Sequence, residues 1–301
     1  MSVGTAAKRA TWTQPAEKER AYLQPLVRFV RSSPLGTIAA VLLITLILVA
    51  IFADQLAPYD PLVADYSVSR SPPSAAHVFG ADQLGRDTLS RIIHGARVSL
   101  FVAVVSVLLG DSTGLLWGIA SGYLGGRFDL VSQRLLDTLL SFPGLILAML
   151  LLVGLGAGLQ TVIIAIAVTR VPLATRVIRS VVLSLRNLAY VEAARALGSS
   201  NLRIMALHIL PQCIAPFLVI VSANIGVAIT TEAALSFLGI GVPPPTPTWG
   251  NMLGGVLAES FKPPWWLVVY PGVFLTATVL AANLFGDAIR DFLDPKLRGL
   301  T

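Results

Sequence analysis

Charged side chains are rare inside the apolar stretches of this sequence, so the few that occur there are the first places to look for chemistry. Asp111, Asp137, Arg170 and Glu232 each interrupt a run rich in Ala, Val, Leu and Ile. An ion in an apolar medium is expensive and is retained where it pairs, lines a polar path or relays protons. Asp137 lies at the edge of its run and reads as an interfacial or capping residue. Asp111 and Glu232 lie deeper, and two roles fit each of them: pairing with a neighbouring helix or lining a polar path.

Other reactive constellations do not assemble. His77, His94 and His208 lie far apart and lack zinc spacing. Cys213 is the single cysteine, which excludes an intrachain disulfide and a multi-cysteine metal site. No metal or other cofactor is therefore expected. A phosphate-binding loop needs a lysine between glycine and Ser or Thr. The lysines stand instead in Ala7-Lys8-Arg9, Glu17-Lys18-Glu19, Phe261-Lys262-Pro263 and Pro295-Lys296-Leu297. The one G-x-S-x-G match, Gly110-Asp111-Ser112-Thr113-Gly114, lies inside an apolar run and is not a serine elbow, and no carboxylate pair is placed for acid–base work. The chain is not expected to be an enzyme, and any ATP hydrolysis it depends on must come from another protein. A proton- or sodium-driven carrier would show matching broken helices in two halves, and no internal repeat is visible.

The elements that must hold these residues are membrane helices. Hydrophobic residues make up 55% of the 301 and charged ones only 13%, against roughly 25% charged in a soluble domain. Leu35 to Ala53 runs without a charge, close to the ~20 residues that span a bilayer. Apolar runs predict six spans, at about 35–53, 98–120, 135–156, 160–179, 212–240 and 267–287. The fourth is interrupted by Arg170 and Pro172, which a membrane helix tolerates when neighbours satisfy the freed carbonyl. All but Arg70, Arg86, Arg91, Arg97 and Lys262 of the 22 Lys and Arg then fall on one side. The positive-inside rule makes that side cytoplasmic and places both termini there. The tail 1–33, polar and cationic, reads as a cytoplasmic extension whose following apolar run is an anchor rather than a cleavable signal. Cations scattered between apolar runs do not form a nucleic-acid patch, so no nucleic acid is expected. Residues 242–266, rich in Pro and Trp, read either as an interfacial belt or as a gate or docking surface.

The stretch Tyr190 to Pro211 carries the most information. Glu192-Ala193-Ala194-Arg195-Ala196-Leu197 are good helix formers, and Gly198 can end that helix in the left-handed conformation. Asn201 to Leu210 resumes a helical pattern before Pro211 enters the next span. Two short helices joined at a glycine fit either a knob that seats in a cleft of a soluble partner or an ordinary amphipathic interfacial pair.

Glu192-Ala193-Ala194, Gly198 and His208-Ile209-Leu210-Pro211 resemble the EAA loop of binding-protein-dependent ABC importer permeases. The broader pattern often has Ile at the position of His208, while the peptide-importer branch commonly has His. Ala57-Pro58-Tyr59-Asp60-Pro61 and Phe79-Gly80-Ala81-Asp82-Gln83-Leu84-Gly85-Arg86-Asp87 are similar to the second permease of dipeptide, oligopeptide and nickel systems. So are Thr231 to Gly239 and the run from Asn283 to Pro295. Arg170-Val171-Pro172 departs from it, since many relatives have Trp before the proline.

The resemblance implies an all-α membrane protein of the type I ABC importer permease fold, with six transmembrane helices. The first helix packs at the edge of a core spanning 98–289, and tails lie at 1–33 and 290–301. It implies a second, different permease, one or two ATP-binding subunits and an extracytoplasmic solute-binding protein as partners. It places ATPase coupling on Glu192, Ala193, Ala194, Arg195, Gly198, Leu210 and Pro211. Asp82, Gly85, Arg86 and Asp87 become candidates for an external gate or binding-protein contact, a self-packed structural turn being the other reading. Short peptides are the first choice of cargo, with nickel chelates, glutathione-like thiols, opines and oligosaccharides behind. A membrane scaffold without a pathway of its own is the reading from another class.

Overall fold

Backbone hydrogen bonds cannot be given to water inside lipid, so an apolar chain of this composition must satisfy them within helices or a closed barrel. Here the solution is helical. The computed structural model describes residues 29–30, 33–259 and 261–293, and among these there is no β-sheet, only an isolated bridge between Ala81 and Asp87. The tails expected at 1–33 and 290–301 lie largely outside the described residues.

In chain order the helices are α1 (Pro34–Ile51), the short α2 (Ala53–Leu56), α3 (Thr88–Leu124), α4 (Gly126–Leu140), α5 (Gly144–Leu155), α6 (Leu159–Leu185) and α7 (Ala189–Ala196). They continue with α8 (Asn201–Phe237, with a π-turn at Met205–Ile209), α9 (Trp249–Glu259) and α10 (Trp265–Leu293). Five are long and apolar enough to cross a membrane, and the pair α4–α5 makes a sixth if taken as one span.

That pair corrects the helix expected at 135–156. The chain turns by 91° between α4 and α5 at Ser141-Phe142-Pro143. Pro143 has no N–H to continue the ladder, and α4 is tied sideways by its acidic residues. Asp129 accepts from Arg179 Nε and Nη2 at 2.6 and 2.5 Å, and Asp137 accepts from Arg176 Nη2. Pro172 lies inside α6 without ending it.

α3 and α6 form the centre of the bundle. Gly110, Gly114, Gly118 and Gly122 recur every fourth residue along α3 and face α6. A methyl group on Gly114 would stand 2.5 Å from Ala174 Cβ, and one on Gly110 would stand 2.5 Å from the Ala167 carbonyl. Close backbone approach of this kind is the usual means of joining helices in lipid, where no hydrophobic force drives them together. α8 meets α10 in the same way, with Gly226 against Asn283 and Gly286 against the Ser222 carbonyl. α1 rests on α10, with Gly36 against Ala288, and most of its surface stays exposed, as expected of a helix at the edge.

The bundle has two distinct ends. The segment 57–87 and α9 sit at one, called here the loop end. α7 and the start of α8 sit at the other, the knob end, where they pack on Leu115, Ile119 and Tyr123 of α3.

Candidate functional site

At the knob end, α7 closes in a hydrogen-bonded left-handed turn. Gly198 has φ +77°, its N–H donates to the Arg195 carbonyl at 3.0 Å, and the Ser199 N–H donates to the Ala194 carbonyl at 3.1 Å. This is the Schellman arrangement that a glycine just past a helix end favours. The Ser200 hydroxyl then accepts from the Arg203 N–H and opens α8. The expected second short helix is thus the first turns of a long one, continuous with the span through the π-turn at Met205–Ile209.

The knob is anchored on one face and open on the other. Val191, Ala194, Ile204 and Ile209 are buried against α3 and α6, the Arg195 guanidinium lies 5.7 Å over the Tyr123 ring, and the Tyr123 hydroxyl donates to Asn201 Oδ1 at 3.3 Å. Glu192, Ala193 and Gly198 are exposed. Leu197, Leu202 and Leu207 are 85%, 76% and 59% exposed. Leu210 is half-buried and Pro211 exposed at the base of the knob. Tyr123 had no sequence signal, because nothing in the pattern of α3 shows which residue lies under α7.

At the loop end, Asp82 organises a tight turn. Its Oδ1 accepts from the Leu84 and Arg86 N–H groups at 2.9 Å each, and its Oδ2 accepts from Arg86 Nε at 2.7 Å. Arg91 Nε stands 3.4 Å from the same oxygen, while Arg91 Nη1 donates to the Pro61 carbonyl at 3.0 Å. Gly85, at φ +75°, leaves no room for a Cβ, which would lie 1.7 Å from the Asp65 carbonyl oxygen. Asp87 caps α3 by accepting from the Ser90 N–H at 2.8 Å, and its other oxygen lies 3.0 Å from His77 Nδ1. Gly85 and Asp87 therefore hold the loop, whereas Arg86 turns toward a pocket of about 230 Å³ shared with Arg91, Gln83, Pro245, Met252 and Leu267.

The far wall of that pocket is α9, a helix within the stretch that composition marked as a Pro- and Trp-rich belt. Trp249 is fully buried and donates through Nε1 to the Ile92 carbonyl at 3.1 Å. Gly250 and Gly254 press on the backbone of α8 at Ala233 and Phe237. Their spacing was the available signal for a packed helix. Close by, Arg97 and His94 hydrogen-bond to Asp54 and hold its carboxyl below the ordinary range.

Inside the bundle Asp111 and Glu232 are fully buried and apart from each other in setting. Asn224 Nδ2 donates to both oxygens of Asp111, at 3.1 and 3.0 Å. Arg170 is the nearby counter-charge, and its Nη2 donates to Thr231 Oγ1 at 3.3 Å. Glu232 lies near the loop end, where its Oε1 accepts from Ser236 Oγ at 2.7 Å while Ser99 and Thr248 stand beside it.

A bundle of long apolar helices with a bent pair, a knob at one end and an ordered loop at the other has the architecture of a multi-span membrane protein. Comparison with known proteins is specific about the kind. Residues 114–299 match the family model of the binding-protein-dependent transport system inner membrane component, and residues 22–73 match the N-terminal transmembrane domain of oligopeptide transport permease C. The chain is 42% identical over 270 residues to the glutathione transport system permease protein GsiD of an Escherichia coli O1:K1 strain, covering 89% of each. It is 41% identical to the di/tripeptide transport system permease protein DppC of Pseudomonas aeruginosa, covering 92% of this chain and 94% of that one. It is 38% identical to the probable D,D-dipeptide transport system permease protein DdpC of Escherichia coli K12, covering 95% and 96%. Among solved structures, inward-facing MetNI methionine ABC transporter is similar in fold, with TM-score 0.55, 20% identity and 68% of this chain covered.

The chain belongs to the family of binding-protein-dependent transport system inner membrane components. It is an inner-membrane permease subunit of an ABC importer, in which ATP hydrolysis is carried by a separate subunit.

Proposed function

We propose that this subunit imports short peptides, with glutathione, itself a tripeptide, as the closest alternative cargo. The names of the relatives support both. Its partners are a second, different permease, one or two ATP-binding subunits and an extracytoplasmic solute-binding protein. The knob end faces the cytoplasm, because the cations of the chain gather there, and both termini lie on that side.

The observation that carries the reading is the exposed leucine crest of the knob. Leu197 and Leu202 flank Gly198 on a tip whose base is locked into α3 and α6. A soluble protein keeps such residues covered, and an apolar tip beside Glu192 suits a cleft on an ATP-binding subunit. Movement of the cleft would pass through Ala193, Ala194 and Arg195 to Tyr123, and through Leu210 and Pro211 into α8. Asp82 and Arg86 at the opposite end would meet the binding protein, with Gly85 and Asp87 setting their loop.

The test is uptake of labelled di- and tripeptides and of glutathione by vesicles containing the assembled complex. Leu197→Asp should reduce peptide uptake and peptide-stimulated ATP hydrolysis at least about tenfold, with the subunits still assembled. Unchanged uptake by that variant would remove the coupling role from the knob, and uptake of neither peptides nor glutathione by the parent complex would remove the cargo.

A further inference from the structure

The loop-end pocket holds more positive charge than it neutralises. Asp82 is its one acidic wall residue, and both of its oxygens are already engaged, by two backbone N–H groups and by the Nε atoms of Arg86 and Arg91. Two guanidinium groups facing one carboxylate leave one positive charge over. The Nη1 and Nη2 atoms of Arg86 and the Nη2 atom of Arg91 make no hydrogen bond among the described residues, and both side chains line the pocket while the residues as a whole are 9% and 5% exposed. Guanidinium donors that line a pocket without a protein acceptor are free to bind a ligand, and their forked geometry matches a carboxylate.

The rest of the pocket narrows the occupant. Pro245, Met252, Val256 and Leu267 form an apolar wall opposite the cations, and Gln83 adds an amide at the rim. This combination suits a carboxylate borne on a short aliphatic stem. The volume of about 230 Å³ is below the roughly 300–1,000 Å³ of pockets that engulf a whole small molecule. A side chain fits it better than a complete peptide does.

We propose that this pocket is a carboxylate receptor that accepts an acidic side chain of the solute-binding protein when it docks. The inference rests on the transport reading above and gives the contact there assigned to Asp82 and Arg86 a chemical identity. Asp82 is then the internal counter-ion that keeps the two arginines in place before the partner arrives, and Arg86 and Arg91 supply the bond.

Two variants test it, in the complete complex in nanodiscs titrated with its own binding protein over a range of salt. Gly255→Leu plugs the pocket: a Cβ at this position meets only the Gln83 amide, at 3.8 Å, so the backbone need not move. Arg86→Gln removes the fork. Each is expected to weaken docking about tenfold or more, and Arg86→Gln should also flatten its salt dependence. Binding protein with its carboxylates amidated should bind the parent complex no more tightly than untreated protein binds Gly255→Leu.

Parent-like docking by both assembled variants would overturn the proposal. So would loss of free-peptide binding without loss of docking, which would make the pocket a solute site. A parent complex that binds no solute-binding protein at all would instead overturn the transport reading, and the pocket proposal with it.

Discussion

A carboxylate at position 111 persists inside the bundle because Asn224 directs its amide at both oxygens and Arg170 supplies the opposite charge. Removing the amide leaves that carboxylate with no hydrogen bond in an apolar setting. Asn224→Leu should therefore lower the stability of the detergent-solubilised complex by about 1–2 kcal/mol, read as a fall in its thermal midpoint. Asp111→Leu made in the same chain should recover most of the loss, and additive effects of the two changes would show that they do not interact. Asp111 was visible in the sequence because a charge stands out in an apolar run. Its partner was not, since 113 positions separate them and Asn224 resembles any polar residue near a helix centre. The same holds for Arg91, whose value depends on Asp82 being folded back against it.

At the scale of helices, the α3–α6 seam depends on glycine rather than on bulk. Gly114→Leu would drive a side chain into Ala174 and should abolish assembly or sharply reduce the folded yield. Gly272→Ala is the control, because a Cβ there meets nothing within 4 Å. It should be neutral or stabilise by about 0.5–1 kcal/mol. Size-exclusion profiles of the two variants distinguish these outcomes, and equal profiles would mean that the seam tolerates side chains. Five spans were legible from hydropathy alone, since length and apolarity are what lipid demands. Helix ends were less so. α3 begins at Thr88 rather than near 98, because Arg91, His94 and Arg97 depress hydropathy while ion pairs and hydrogen bonds to Asp82, Asp54 and the Ser90 and Ala50 carbonyls allow the helix to continue. The α4–α5 bend escaped because apolarity reports depth and not direction. α9 escaped because the surrounding prolines mask an eleven-residue helix.

For the molecule as a whole, sidedness is the property on which every partner assignment turns. Cys213 is buried, so single cysteines can be introduced at the surface and read against a quiet background. In intact cells, a membrane-impermeant maleimide should label Gln83→Cys and leave Leu197→Cys unlabelled. In inside-out vesicles stripped of the ATP-binding subunits the pattern should reverse, and labelling of Leu197→Cys from outside would invert the topology. α3 gives that sidedness a mechanical meaning. Its 37 residues form one unbroken helix about 55 Å long, against a hydrocarbon layer of about 30 Å. Arg91 sits in its first turns and Tyr123 in its last, with the glycine seam between them as a fulcrum. A helix without a break links its two ends more stiffly than a loop would, so a tilt of α3 about the glycine seam would carry the pocket and the knob in opposite directions.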